Sequence, residues 1–298
     1  MNILITGATG FVGSRMIQMK SQLFGKSDRL ILLTSREIEG FDCILHKNYK
    51  FQKDDFLRKG ICHIDCVICM GHFLQELHPE MNPAEGNISS IDNVIHMMGN
   101  IPNTPKTLVY CSSMAVYGEH RKDLVDENSH LQIQNVYAAS KYIIESYLRE
   151  KCEESKINLH ILRLSHVYGP GDKRIYTIPI WLQASRNDQD IKLYVNPGQK
   201  RNCLYVDDCC RFISRAAYLD DEAEVINVAS EHNATMGEIA QLCKKVSQNQ
   251  KDILIEGNNP ENIGLGFLNC DKRKRYLGDE RYSLEDGLTM EYNYFLER

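Results

Sequence analysis

The chain has 298 residues, a formal net charge of −5, 43% hydrophobic and 25% charged residues. That length suits one large α/β domain or a domain plus a small lobe, and the acidic balance argues against nucleic acid or an anionic membrane as partner. No apolar run approaches the roughly 20 residues of a membrane span. The chain opens on a strand rather than a charged stretch ahead of an apolar one, so no signal peptide is expected. Its eleven cysteines are then expected as reduced thiols in a cytoplasmic protein.

Residues 2–6 are an apolar run that leads straight into Thr6-Gly7-Ala8-Thr9-Gly10-Phe11-Val12-Gly13. Glycines at Gly7, Gly10 and Gly13, followed by an amphipathic stretch over 13–22, predict a strand, a tight turn and a helix whose N-terminus can cradle a pyrophosphate. The spacing is Gly-x-x-Gly-x-x-Gly, not the Gly-x-Gly-x-x-Gly of the commoner dinucleotide fold. A glycine corner that serves packing alone is the competing reading of an isolated match.

Strands are expected next at 30–34, 66–70, 107–111 and 159–164, with amphipathic helices near 87–99 and 137–155. Cys62, Cys66 and Cys69 with His63 could be taken for metal ligands, but Cys66 and Cys69 would face opposite sides of a buried strand. Strand–helix alternation predicts an α/β, Rossmann-like, doubly wound parallel sheet with ligands at the carboxyl ends of its strands. After Tyr168-Gly169-Pro170-Gly171 the texture changes to helical pieces at 178–185, 206–218 and 235–246 separated by polar loops. We therefore expect a dinucleotide-binding domain over 1–170 and a smaller substrate-binding lobe over 171–298, partly intercalated with the first. Residues 247–252 are the most solvated stretch and read as a loop.

Two further motifs carry chemistry. Tyr137 and Lys141 are four residues apart and share a helix face. An ammonium beside a phenol favours the phenolate, so the pair can pass a proton to or from a hydroxyl at neutral pH. An ordinary exposed Tyr/Lys pair is the competing reading. The strand at 107–111 runs into Ser112 and Ser113, and a serine there can orient a reacting oxygen, or simply close the strand.

Taken together these motifs resemble the extended short-chain dehydrogenase/reductases, specifically the NAD(P)-dependent sugar-nucleotide epimerase/dehydratase family. The resemblance runs nearly end to end. Residues 65–71 are similar to the strand "DVVIHLA", 163–171 (RLSHVYGPG) to "R…NVYGPG", 201–208 (RNCLYVDD) to "RDFIHVDD", 225–229 to "YNVG", and 271–288 to a "K…LG…SLEEGL" tail. The resemblance implies Tyr137 as acid/base, Lys141 as its tuner and ribose anchor, and Ser113 as partner of the substrate oxygen. It implies Gly7, Gly10, Phe11, Val12 and Gly13 around the pyrophosphate, Asp55 at the adenine, Met70 and Gly71 along the ribose, and Asn87 bracing the backbone nearby. Arg201 would grip the diphosphate of a nucleotide-sugar substrate, a task suited to a guanidinium fork. His166 stands where many relatives have asparagine. A homodimer through a four-helix bundle is implied as well, with Ile143, Ile144, Tyr147 and Leu148 as candidate surface unless they face the sheet.

The end of the second strand selects the cofactor. No carboxylate stands there; Ser35 and Arg36 follow Thr34, and hydroxyls with a cation suit a 2′-phosphate. NADP is favoured over NAD, the other reading being an Arg36 in water with Glu37 on the ribose. Met114 and Ala115 follow Ser113 where 4,6-dehydratases carry an acidic pair, so dehydration is disfavoured, and the segment 174–181 offers little for C3/C5 epimerisation. NADPH-dependent reduction of a 4-keto sugar nucleotide is the first reading, and 4-epimerisation with retained NAD the second. A non-catalytic dinucleotide-binding protein and a reductase of a non-nucleotide carbonyl compound stay open.

Overall fold

The structure is a computed structural model that describes residues 1–298 except 48–49, 73–81, 119–122, 175, 221–223, 258–263, 265–266 and 298. Its strands in chain order are β1 (Asn2–Thr6), β2 (Arg29–Thr34), β3 (Asp42–Leu45), β4 (Cys66–Cys69), β5 (Thr107–Ser113), β6 (Asn158–Leu164), β7 (His166–Tyr168), β8 (Ile191–Leu193), β9 (Lys200–Tyr205), β10 (Val225–Val228), β11 (Asn233–Thr235) and β12 (Ile253–Ile255). The helices are α1 (Phe11–Gln18), α2 (Lys20–Leu23), α3 (Lys53–Arg58), α4 (Pro83–Asn100), α5 (Val136–Ser155), α6 (Thr177–Arg186), α7 (Val206–Ala216), α8 (Met236–Val246), α9 (Asp271–Leu277) and α10 (Leu284–Leu296).

The expected doubly wound sheet is present. Seven strands lie in the order β10-β6-β5-β4-β1-β2-β3, and the pairs β2–β3, β1–β2, β1–β4 and β4–β5 are parallel. The order turns around between β1 and β4, which makes the carboxyl ends of those two strands the topological switch point of the sheet. Strands covered on both faces read as continuous apolar runs, which is why Ile3, Leu4 and Ile5 and their neighbours Ile31, Leu32, Val67 and Ile68 are fully buried.

The chain divides into two compact units. The first comprises Met1–Val116, Ile133–Arg163 and Cys210–Ile226. In its core, Val94 and Met97 of α4 and Ile144 and Leu148 of α5 pack with Leu4, Ile31, Val67 and Leu108 of the sheet. Helix α5 also turns a carboxylate inward. Glu145 is fully buried, accepts from the Ser112 hydroxyl at 2.5 Å, and pairs with Arg163 of β6 through Nε at 3.2 Å and Nη2 at 2.8 Å. This two-pronged bond fixes the rotation of α5 about its own axis.

The second unit comprises Tyr117–Gln132, Leu164–Cys209 and Asn227–Arg298. It holds a three-stranded sheet ordered β11-β9-β7 and a two-stranded sheet of β12 and β8. Helices α6 and α10 both pack on α8. The loop expected over 247–252 has no regular structure, but it is not simply solvated: Asn249 is buried and its Nδ2 donates to Ser185 Oγ at 3.2 Å and Gln189 O at 2.9 Å.

Several expected elements differ from those observed. The helix expected over 13–22 starts earlier, at Phe11, and breaks after Gln18 before resuming as α2. The strand expected over 66–70 stops at Cys69, because the amides of Met70 and Gly71 turn to the Thr6 hydroxyl instead of the ladder. Helix α4 begins at Pro83, ahead of 87, where the Asn82 side chain caps the Ala84 amide at 2.9 Å. Of the residues expected to offer apolar surface for a dimer, Ile144 and Leu148 are core residues and Tyr147 packs against that core, whereas Ile143 is exposed. None of the eleven cysteines is in a disulfide, and only Cys62 is exposed. Among the described residues no helix is long and apolar enough to cross a membrane.

Candidate active site

The glycine turn sits at the carboxyl end of β1. Gly7 has φ +72°, and a Cβ on it would lie 2.7 Å from the Gly71 amide nitrogen. Only glycine meets both conditions, left-handed backbone and close approach to the loop after β4. A Cβ on Gly13 would fall 2.2 Å from the Gly7 carbonyl oxygen, so the helix can follow the strand this closely only without a side chain. Gly10 is the N-cap of α1, no side chain caps it, and no acidic residue stands in the first turn. The positive end of α1, with Phe11, Val12 and Gly13 in its first turn, therefore faces the switch point as an anion site.

Thr6 welds the two strands of the switch point. Its buried hydroxyl accepts from the amides of Met70 and Gly71, both at 3.1 Å. The next residue, His72, enters a polar junction. Its Nε2 lies 3.0 Å from Asn87 Oδ1, and the single Ser140 hydroxyl hydrogen is shared between that oxygen at 2.9 Å and the Tyr137 carbonyl at 2.8 Å. Asn87 Nδ2 donates back to Pro83 O at 2.7 Å. Asn87 thus braces the loop after β4 against α5, with side-chain partners the sequence did not reveal.

Helix α5 is started by Asn135, whose side chain accepts from the Ala138 amide at 2.8 Å. Tyr137, in the first turn, is half-buried, and its ring meets the His72 ring edge-to-face at 5.2 Å between centroids. One turn on, the buried Lys141 donates to the Cys111 carbonyl at 2.8 Å, with Nζ 5.1 Å from the Tyr110 ring centroid and 5.9 Å from that of Tyr137. No carboxylate pairs with this ammonium among the described residues, and burial lowers its pKa to about 8. Of the two serines ending β5, Ser112 is committed to Glu145 in the core. Ser113 is half-buried, and its hydroxyl accepts from the Ala115 amide at 3.2 Å. Ser113, Tyr137 and Lys141 all belong to the first unit, as do the glycine turn, Met70, Gly71 and Asn87.

At the end of β2, Ser35, Arg36 and Glu37 are exposed. Glu37 pairs with Lys59 at 3.4 Å, and no ion pair engages Arg36 among the described residues. Asp55 is bound within its own helix. It completes the capping box of α3 by accepting from the Gln52 amide at 2.7 Å, and it pairs with Arg58 at 2.6 Å. Local helix capping thus accounts for this carboxylate, an outcome the motif match did not anticipate.

In the second unit His166 is aligned with Cys203 of β9 in a parallel pairing, two residues past Arg201. Burial first, then the nearby guanidiniums of Arg201 and Arg174, push the His166 imidazole down to about 3, and its Nδ1 is buried without a hydrogen-bond partner among the described residues. His166 is therefore a neutral acceptor at neutral pH, not a second cation. Arg174 is held by Asp172 through bonds of 2.7 and 2.6 Å and by the Val167 carbonyl at 2.9 Å. Neither Arg174 nor His72 was singled out in the sequence. The available signal for His72 was its place directly after Met70-Gly71 at a strand end.

Comparison with known proteins identifies the family and the fold. Residues 3–229 match the model of the NAD dependent epimerase/dehydratase family, and the chain belongs to that family. The human dTDP-D-glucose 4,6-dehydratase is 24% identical over 297 residues, covering 95% of this chain and 82% of the human protein. An uncharacterised UDP-glucose epimerase of Bacillus subtilis (strain 168) is 23% identical, covering 99% of this chain and 98% of that protein. Among solved structures, UDP-glucose 4-epimerase of Thermotoga maritima with UDP-glucose aligns with a TM-score of 0.81 at 21% identity, over 100% of this chain and 99% of that one. The UDP-glucuronic acid 4-epimerase of Bacillus cereus in complex with UDP-glucuronic acid and NAD gives 0.82 at 21% identity, again over 100% and 99%.

Proposed function

We propose that the chain is a nucleotide-sugar oxidoreductase that works at a single sugar carbon, with Ser113, Tyr137 and Lys141 as its proton-handling group. The observation that carries this reading is Lys141, a buried ammonium bonded to the Cys111 carbonyl and set beside the Tyr137 ring. A buried cation without a carboxylate is costly, and favouring the phenolate of Tyr137 gives it a use. Gly7, Gly10, Phe11, Val12 and Gly13 would hold the dinucleotide pyrophosphate, and Met70, Gly71 and Lys141 its ribose. The cradle fits that group: a Cβ at Gly7 or Gly13 would strike backbone, and the end of α1 carries no capping carboxylate. When bound, the dinucleotide supplies or accepts the hydride. Tyr137 gives a proton to the sugar oxygen or removes one from it, Lys141 holds the phenol ready to do either, and Ser113 orients that oxygen. In this reading the first unit binds the dinucleotide and the second the substrate, with Arg201 on the diphosphate and His166 accepting a hydrogen bond from substrate.

Arg36 supports NADPH as the cofactor and hence reduction of a 4-keto sugar nucleotide, since it is exposed at the end of β2 while Glu37 is engaged by Lys59. Met114 and Ala115 beside Ser113 hold no titratable group, which speaks against dehydration. The second reading, a 4-epimerase that retains NAD, is supported by the structural relatives that are 4-epimerases in complex with NAD. A homodimer through α4 and α5 is supported by the exposed Ile88, Ile95, Tyr142 and Ile143 on those helices, and a reducing, cytoplasmic setting by eleven cysteines none of which is in a disulfide. The test is mass spectrometry of small molecules that copurify with the protein, joined to NADPH and NADH titration. NADPH oxidation with a 4-keto sugar nucleotide, abolished in Tyr137→Phe while cofactor still binds, is the expected result. Retained NAD without NADPH oxidation selects the 4-epimerase, and no dinucleotide binding at all overturns both.

A further inference from the structure

The junction around His72 contains a nitrogen that the fold leaves unused. Asn87 donates through Nδ2 to Pro83 O at 2.7 Å, so its Oδ1 is the face turned to His72, and that oxygen can only accept. His72 Nε2, 3.0 Å away, must then carry the hydrogen. The imidazole is neutral, because burial and the nearby Lys141 push its pKa down to about 2. A neutral imidazole has one N–H, which leaves Nδ1 as a bare acceptor. That atom is buried and has no hydrogen-bond partner among the described residues. Buried polar atoms are almost always satisfied in folded proteins, so an exception calls for a partner from outside the chain.

The surroundings identify the chemistry of that partner. The His72 ring lies edge-to-face on Tyr137, and it directly follows Met70 and Gly71 at the switch point. A ribose hydroxyl that accepts a hydrogen bond from the Lys141 ammonium keeps its own hydrogen to donate, and it needs a neutral acceptor close by. We propose that His72 Nδ1 accepts from a hydroxyl of the nicotinamide-side ribose, while Nε2–H locks Asn87, making His72 a cofactor-positioning residue of this chain. This rests on the reading of the first unit as the dinucleotide site.

The two nitrogens can be tested apart. Asparagine can set an amide oxygen near the place of Nδ1 but cannot reach Asn87; glutamine can set its NH2 near the place of Nε2 but leaves no acceptor at Nδ1. Dinucleotide affinity of the full chain, read by nicotinamide fluorescence, should weaken about tenfold in His72→Gln and stay within about threefold in His72→Asn, as expected for loss of one hydrogen bond. Thermal melting should show the reverse order, because His72→Asn gives up the Asn87 bond. On the wild-type protein, a dinucleotide deoxygenated at the nicotinamide ribose should lose more than about tenfold, because it gives up the Lys141 bond as well, with no further loss on His72→Gln. Equal binding by His72→Gln and wild type, or no penalty for the deoxy dinucleotide on wild type, overturns the proposal while leaving the dinucleotide site standing. If His72→Gln does not fold, a deoxy dinucleotide that binds wild type as tightly as the parent still overturns the proposal. A wild-type chain that binds neither NADH nor NADPH overturns the site reading and this proposal with it.

Discussion

Lys141 and Arg163 are both buried cations of the first unit, and the fold treats them in opposite ways. Arg163 is clamped by the carboxylate of Glu145 through two bonds, with Ser112 filling another acceptor site on the same group. Lys141, one turn before Glu145 on the same helix, receives a backbone carbonyl and the faces of two phenol rings. A neutralised pair can be sealed into a core and forgotten by chemistry. An ammonium left with neutral partners keeps its field available to whatever forms charge beside it. Helix α5 therefore carries, within one turn, a cation contact closed by a carboxylate and an ammonium with none.

The largest effect that would sharpen this contrast is on turnover. Lys141→Met should lower kcat by about 10² to 10⁴-fold, while stability by urea unfolding moves by no more than about 1 kcal/mol, because the Cys111 carbonyl loses a donor as the cost of a buried ammonium disappears. Arg163→Met should do the opposite: it leaves the buried Glu145 with only Ser112 and the more distant Arg149 at 3.6 Å, costs about 3 kcal/mol, and lowers the unfolding midpoint. If that variant melts like wild type, the pair is not the anchor described here.

A smaller effect separates the two in pH. The Lys141 pKa in the folded chain is about 8 against an ordinary 10.5. Below about 8 both folded and unfolded chains hold its proton, and the cost of burying the charge is fully present. Between about 8 and 10.5 the unfolded chain holds more protons, so this residue's contribution to stability rises with pH. Turnover should fall over the same window as the ammonium is lost. Stability measured as wild type minus Lys141→Met isolates the effect, and a flat difference from pH 7 to 10 would contradict it. The smallest change is expected from the double variant Glu145→Leu/Arg163→Met, which removes both charges together and should be close to neutral in calorimetry, within about 1–2 kcal/mol of wild type.

The sheet and the glycine turn were legible because their signals are local. An apolar run followed by Gly7, Gly10 and Gly13 states both the strand and the close approach, and the structure adds only that Gly71 is what Gly7 approaches. Tyr137 and Lys141 were legible from helical spacing. What escaped were partners made by topology: Thr6 with the amides of residues 64 and 65 positions away, Asn87 with Ser140 across 53, Glu145 with Arg163 across 18. No sequence window contains these pairs. The capping role of Asp55 escaped for the converse reason: a carboxylate three residues into a short helix finds its backbone partner locally, where a family motif is not read for capping. The strands β7, β8, β11 and β12 escaped because each has only three residues, too few for alternation to register.

The distribution of thiols gives the protein a clock. Ten of its eleven cysteines are buried and Cys62 alone is exposed, with burial pushing Cys66, Cys111, Cys152 and Cys203 up to about 12. A colourimetric thiol reagent added to the native protein should consume one equivalent quickly, and each slower equivalent counts an opening event in the segment that holds it. The order in which those equivalents appear reads out which part of the chain lets go first, with no label to introduce and no residue to change.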